Sequence, residues 1–220
     1  MEPGSPNGEN TPLSQFSARR AFRHVERFAR SPHDVGTPEQ VNVRHYLVDQ
    51  LRGIGCSVQE QSGVGIRSLR TFVSAGSVTN VIARFAGRDP SRPAVMLSAH
   101  YDSVATGPGA ADDGSGVATL LEIARALKTQ PPTLSDIVLL CTDGEECGLL
   151  GAQVFVRDSP TAKHIGVALN LEARGRGGPL YLFETSDGNL TGTRSGNAGL
   201  IRAYSSVVRH PLAHSLAYAL

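Results

Sequence analysis

The chain has 220 residues, 40% of them hydrophobic and 19% charged, with a net charge of +1. That balance is ordinary for a globular protein with one sizeable core, and it gives no electrostatic reason to expect a nucleic acid or an acidic membrane surface as partner. No run approaches the roughly 18 apolar residues of a membrane span, no signal peptide opens the chain, and three cysteines are too few for a disulfide framework; Cys56, Cys141 and Cys147 are expected as buried thiols.

Residues 1–15, "MEPGSPNGENTPLSQ", are polar and rich in turn formers, and are expected to form a disordered tail. Phe16, Phe22, Val25 and Phe28 then recur at helical spacing, with Ser17 placed to cap them. The arginines among them fit a solvated face. "SPHDVGTPEQ" is a turn, and Thr37 followed by Pro38 is a good N-cap and first helical residue. Val43, Tyr46, Leu47, Leu51 and Ile54 predict the next helix, which Gly53 and Gly55 should end.

Strand patterns follow: "CSVQEQ", "SVTNVIARFAG", "PAVMLSAHYD", "SDIVLLCTDG", "IGVALNLEA" and "GPLYLFET". The stretches Val95–Ala99, Ile137–Cys141 and Val167–Leu171 are almost continuously apolar, as in strands buried on both faces. Helical patterns lie between them, one on Val117, Leu120, Leu121, Ala124 and Leu127, another from Leu149 to Val156. The last segment, "NAGLIRAYSSVVRHPLAHSLAYAL", predicts one or two helices. Strands alternating with helices imply a largely parallel sheet between two helical layers.

In such sheets, sites form beyond the carboxyl ends of the strands. The first apolar strand ends in His100 and Asp102, the second in Asp143, Glu145 and Glu146, the third in Glu172, and the loop after the first adds Asp112 and Asp113. Each motif alone has an ordinary explanation. "HYD" fits a satisfied core histidine, and "DGEE" an exposed acidic turn. "GPGAADDGSG" lacks the Lys-Ser/Thr ending of a phosphate loop and the alternating ligands of an EF-hand. Together, so many carboxylates at one sheet edge raise one another's pKa unless a cation sits among them. His and carboxylate donors without thiolate suit Zn²⁺ or a similar ion. His100 and Asp102, two apart on an extended chain, face the same way, so one can ligate while the other fixes the ring. Of the adjacent pair Glu145 and Glu146, one can bind metal while the other serves as a base.

"LSAHYDSV", "GAADDGSGVATLLEIARAL", "DGEECGLLGAQVFV" and "ALNLEARGRGGP" closely resemble metallopeptidase family twenty-eight, the di-zinc aminopeptidases. "NLEA" and the upstream "FSARRA…SPHDVGTPE…VRHYLVDQL" are similar to its endoplasmic reticulum metallopeptidase-like branch. The resemblance covers about residues 16–220, taken as one peptidase domain, and implies a three-layer α/β/α fold with a mostly parallel mixed sheet. It implies two zinc ions, with Asp112 bridging, His100 and Glu172 completing one site and Glu146 belonging to the other. Many relatives carry Asp at the position of Glu172. Glu145 would be general base and acid for a water activated by the metals, and Asp102 would support His100. The implied reaction is hydrolysis of the N-terminal peptide bond of a peptide.

Two such sites sharing one ligand need five protein ligands, and four are at hand. His164 precedes a strand whose far end carries Glu172, and His210 and His214 lie on the last predicted helices. The family's final histidine lies further on, so the resemblance implies an enzyme whose chain here stops short of that ligand and of the last strand and helix, a truncation that can abolish activity. Other functions on this scaffold are a non-catalytic binding module, a carboxypeptidase or a glutaminyl-cyclase-like transferase. Members of the branch are often membrane-anchored with an extracytoplasmic peptidase domain.

Overall fold

The computed structural model describes residues 5–68, 71–173, 182, 198–208 and 211–213. The chain divides into two compact units, residues 6–175 and residues 1–5 with 176–220.

The larger unit opens with α1 (Ala18–Phe28), capped by the Ser17 hydroxyl, which accepts from the Arg20 N–H. Then comes α2 (Pro38–Ile54), where Thr37 caps, Pro38 takes the first turn and Gly55 closes the helix in the left-handed region at φ 95°. Gly53, expected to help end α2, lies inside its last turn. The strands are β1 (Ser57–Ser68), β2 (Val73–Phe85), β3 (Ala94–His100), β4 (Ile137–Thr142) and β5 (Ile165–Asn170). Between them lie α3 (Gly114–Lys128) and α4 (Leu150–Asp158). The sheet order is β1-β2-β4-β3-β5. Strand β2 runs antiparallel to both neighbours, while β3 is parallel to β4 and β5, so the sheet is mixed and four strands point the same way.

Alternation along the central strands builds two cores. Val81, Ala83, Leu139, Cys141 and Ala99 pack against Phe28, Leu47, Leu51, Val117, Leu120 and Leu121 of α1, α2 and α3. Ile82, Val138 and Leu140 pack on the other side against Phe155 of α4. The expected three-layer α/β/α arrangement is present. Burying each such aliphatic side chain contributes about 1.5–3 kcal/mol.

Three expectations change. β1 and β2 reach further than their sequence patterns, as a long hairpin whose outer part leaves Val64, Ile66 and Val73 exposed. Its burial alternates, but the inward positions are Gly63 and Gly65, packed close against Val154 and Leu150 of α4, and Arg67, so no apolar alternation toward the core marks it. β5 was expected to be buried on both faces; it pairs only with β3 among the described residues, and Val167 is 37% exposed. An apolar run records a preference to leave water, and the neighbours a strand acquires decide whether it does. Cys56 and Cys141 are buried free thiols, but Cys147, also free, is only partly buried. It sits in a loop rather than on a core strand.

Residues 5–15 contain no helix or strand, yet their carbonyls are engaged. Arg20 donates to Thr11 O at 2.7 Å and Gln15 O at 2.9 Å, and Arg125 donates to Gln15 O at 2.9 Å. Both arginines meet on Glu122 of α3, whose side chain is fully buried. Glu122 accepts from Ser17 N at 2.8 Å, Arg20 Nε at 3.1 Å and Arg125 Nε at 2.7 Å. Burial alone would raise its pKa, but these donors win and hold it below the usual carboxylate range. Glu122→Ala strands two arginines and a backbone N–H, and should cost about 3 kcal/mol in urea unfolding. Because the folded pKa is lowered, this stabilisation is present at neutral pH and is lost as pH falls through the folded value. The gap between wild type and variant should therefore narrow below about pH 4.

In the smaller unit, α5 (Ala198–Val207) lies within the expected helical segment, Leu182 pairs with Ala213, and the Tyr204 hydroxyl donates to Leu212 O at 3.0 Å. The rest of the "GPLYLFET" strand, and His210 and His214, lie outside the described residues. Among the described residues no helix is long and apolar enough to cross a membrane.

Candidate metal centre

Strand β3 delivers His100 at its carboxyl end. The chain then runs through buried Tyr101, Asp102 and Ser103 into the loop that carries Asp112. Asp113 is buried as the N-cap of α3, accepting from Gly116 N at 3.1 Å and His100 N at 3.3 Å. Asp113 thereby ties the helix start to the strand end. Burial, and next the charge of Glu172, push its pKa up to about 8. Gly116 is required here, because a Cβ would sit 2.4 Å from the Asp113 carboxylate. The Asp112–Asp113 peptide is cis.

The loop from β4 to α4 carries Glu145 and Glu146. Gly144 and Leu149 take positive φ, at 66° and 63°, and the N–H groups of Gly148 and Leu149 both donate to Glu145 O. Asp102 joins this loop to the first one. Its buried carboxylate accepts from Glu145 N at 3.0 Å and Glu146 N at 3.1 Å, and its Oδ1 lies 3.5 Å from His100 Nδ1. Nδ1 is also 3.1 Å from the Asp102 carbonyl, which can only accept, so Nδ1 carries a proton and Nε2 faces the acids. Asp102 therefore orients the ring and fixes the backbone of both glutamates.

Around Nε2 of His100 stand Asp112 Oδ1 at 3.0 Å, Glu172 Oε1 at 3.7 Å and Glu145 Oε2 at 3.9 Å. His100, Asp112 and Glu172 each offer a donor atom, all within 4.8 Å of one another. Donors about 2 Å from a tetrahedral zinc lie about 3.3 Å apart, so the trio fits one ion with small side-chain movements. The electrostatics also fit. Burial opposes charge on His100, yet the nearby carboxylates of Asp102, Glu172 and Asp113 push its pKa up to about 12. The cluster attracts positive charge strongly enough to hold a proton there. Burial, then the acids around it, raise the pKa of Glu145, with His100 opposing. Burial and Asp112 raise that of Glu146. For Glu172, burial raises the pKa but the neighbouring His100 wins and leaves it lowered.

His100, Asp112, Glu172 and Glu145 are thus brought together. Glu146 is beside them through the Asp102 bond, but its carboxylate is not among the three clustered donors. Asp143, expected at the same edge, turns into the protein instead. It accepts from Gln40 Nε2, and from Thr79 N at 2.7 Å, and burial raises its pKa to about 6. His164 ends a short 3₁₀ turn, Pro160–His164, at the start of β5, the end opposite Glu172. Two supports escaped sequence reasoning. Gln40 is buried with no partner legible along the chain, and His33, inside "SPHDVG", packs beneath the Asp112 loop.

A mixed sheet between helical layers, with imidazole and carboxylates gathered at the carboxyl ends of its parallel strands, defines an α/β protein built to hold a divalent metal. Residues 80–219 match the family model Peptidase family M28, and the chain belongs to that family. It is 34% identical over 207 residues to the vacuolar membrane protease of Candida dubliniensis, covering 90% of this chain and 21% of that protein. It is 32% identical over 218 residues to human endoplasmic reticulum metallopeptidase 1, covering 92% and 23%. The chain thus spans less than a quarter of the length of these relatives. The aminopeptidase of Aneurinibacillus sp. strain AM-1 superimposes with a TM-score of 0.73 at 15% identity, over 92% of this chain and 81% of that one, a likeness of fold. Porphyromonas gingivalis glutaminyl cyclase does so with a TM-score of 0.70 at 26% identity, over 91% and 76%.

Proposed function

We propose that this chain forms part of a zinc-dependent exopeptidase that hydrolyses the N-terminal peptide bond of peptides. One observation carries the proposal: His100, Asp112 and Glu172, from three separate segments, place donors within 4.8 Å of one another, with Glu145 Oε2 3.9 Å from His100 Nε2. Asp112 would be shared by two zinc ions, His100 and Glu172 would complete one site, and Glu146 would belong to the other. Zinc held there supplies Lewis-acid polarisation of the scissile carbonyl and lowers the pKa of water.

The chain's own residues do the rest. Glu145, with a raised pKa, takes the proton of the attacking water and passes it to the leaving amine, so one water is consumed and one amine and one carboxylate are released. Asp102 holds the Glu145 backbone and the His100 ring in register. The side chain of Asp112 is 58% exposed, so the site opens to a peptide. Relatives named for the vacuolar membrane and the endoplasmic reticulum support placing the working protein at a membrane.

The likeness to a glutaminyl cyclase favours a second reading, intramolecular attack by an N-terminal glutamine. Three substrates separate the two: leucyl anilide, its N-acetylated form and a glutaminyl peptide, each with added zinc. Zinc-dependent cleavage of the first alone supports the exopeptidase. Cyclisation of the third, without cleavage of the first, replaces it.

A further inference from the structure

The loop that presents Asp112 rests on a side chain that none of the chemistry above uses. His33 is 1% exposed and lies in the turn between α1 and α2. Its Nδ1 is 2.9 Å from Ser31 O, a carbonyl that can only accept, so Nδ1 carries the proton. Its backbone exchanges both bonds with Ser103: His33 N donates to Ser103 Oγ at 2.9 Å, and Ser103 N donates to His33 O at 3.4 Å.

Gly109 approaches the ring at Cε1. A methyl group there would lie 2.9 Å from Ser103 Cβ, 3.0 Å from Asp112 O and 3.4 Å from His33 Cε1, and Gly109 has φ +61°. The Gly109 carbonyl accepts from Gly114 N at 2.8 Å, closing the turn that holds Asp112. Phe28 meets His33 edge-on at a centroid distance of 6.4 Å, and lies 3.2 Å from a methyl group placed on Gly114. The His33 and Phe28 rings therefore form a floor under Gly109 and Gly114, the two ends of that turn. The Asp112 side chain above that floor is 58% exposed and meets His100 Nε2 at 3.0 Å, so its position rests on its backbone and on that contact.

We propose that His33 is a positioning residue for Asp112: the orientation of its ring, locked by the bond to Ser31 O, fixes the turn and thereby the carboxylate in the metal centre. This rests on the reading of His100, Asp112 and Glu172 as zinc ligands. A metal site gains affinity when its donors are already placed, and losing such outer support typically costs about 10- to 100-fold.

The test compares zinc affinity, by competition with a chromogenic chelator, with thermal stability in the same chain. His33→Ala should weaken zinc roughly tenfold. His33→Asn, whose Nδ2–H replaces the donor to Ser31 O, should recover most of the loss. His33→Phe keeps bulk without the donor and should remain weak, which preserves the comparison if the alanine variant does not fold. Glu122→Gln, remote from this floor, should lower the melting temperature with zinc affinity unchanged. Zinc affinity equal to wild type in both His33→Ala and His33→Phe overturns the proposal, as does an equal loss in Glu122→Gln. A wild-type chain that binds no zinc overturns the metal-centre reading, and His33's role with it.

Discussion

In a catalytically active form of the protein, replacing Glu145 by alanine is expected to lower aminoacyl-anilide turnover by about 10²–10⁴-fold, the usual contribution of a positioned general base. Zinc binding should survive. The backbone N–H groups of residues 145 and 146 bond to Asp102 whatever the side chain at 145, and Glu145 is not one of the three clustered donors. The split between lost turnover and kept metal is the informative part. Glu145 is suited to the task because its carboxylate is partly buried among Glu172, Asp102 and Asp112, which raise its pKa and make it a better proton acceptor. Stopped assays on the purified variant, alongside its metal content, check this. Turnover equal to wild type would remove Glu145 from the mechanism.

The second large effect is expected at His100. Alanine there removes the imidazole nitrogen from the donor cluster and leaves Asp112 and Glu172 close together without it. Zinc affinity should fall by at least about 10²-fold, beyond the usual loss of an outer partner. Circular dichroism should show the fold retained, since the cores on both sides of the sheet are built from other residues. Asp102→Asn should act on the same centre less severely. Its amide keeps an acceptor for one loop N–H but turns a donor toward the other, so an affinity loss of about 10- to 100-fold is expected.

Much of this was legible where local rules and tertiary context agree. Ser17, and Thr37 with Pro38, start their helices as cap chemistry requires, and the apolar runs of β3 and β4 became the two-faced centre of the sheet. The gathering of His100, Asp112, Glu172 and Glu145 could be read because carboxylates at strand ends have few structural uses. Asp143 looked identical in sequence and proved structural, since only the fold brings Thr79 and Gln40 to it. Glu122 was hidden in an ordinary helical pattern; its arginines come from α1 and from one turn further along α3. The outer hairpin and β5 were misjudged for opposite reasons. The hairpin turns glycines rather than apolar side chains inward, and β5 is an apolar strand that pairs on one side among the described residues. Periodicity reports burial and is silent on pairing.

The central claim is that one edge of this sheet is a zinc centre, and calorimetric titration of the metal-free chain with zinc measures it most directly. The account predicts saturable binding that is strongly weakened by His100→Ala and by Asp112→Asn, with Asp143→Asn binding as wild type. Absent binding, or equal binding in wild type and the His100 variant, would contradict it.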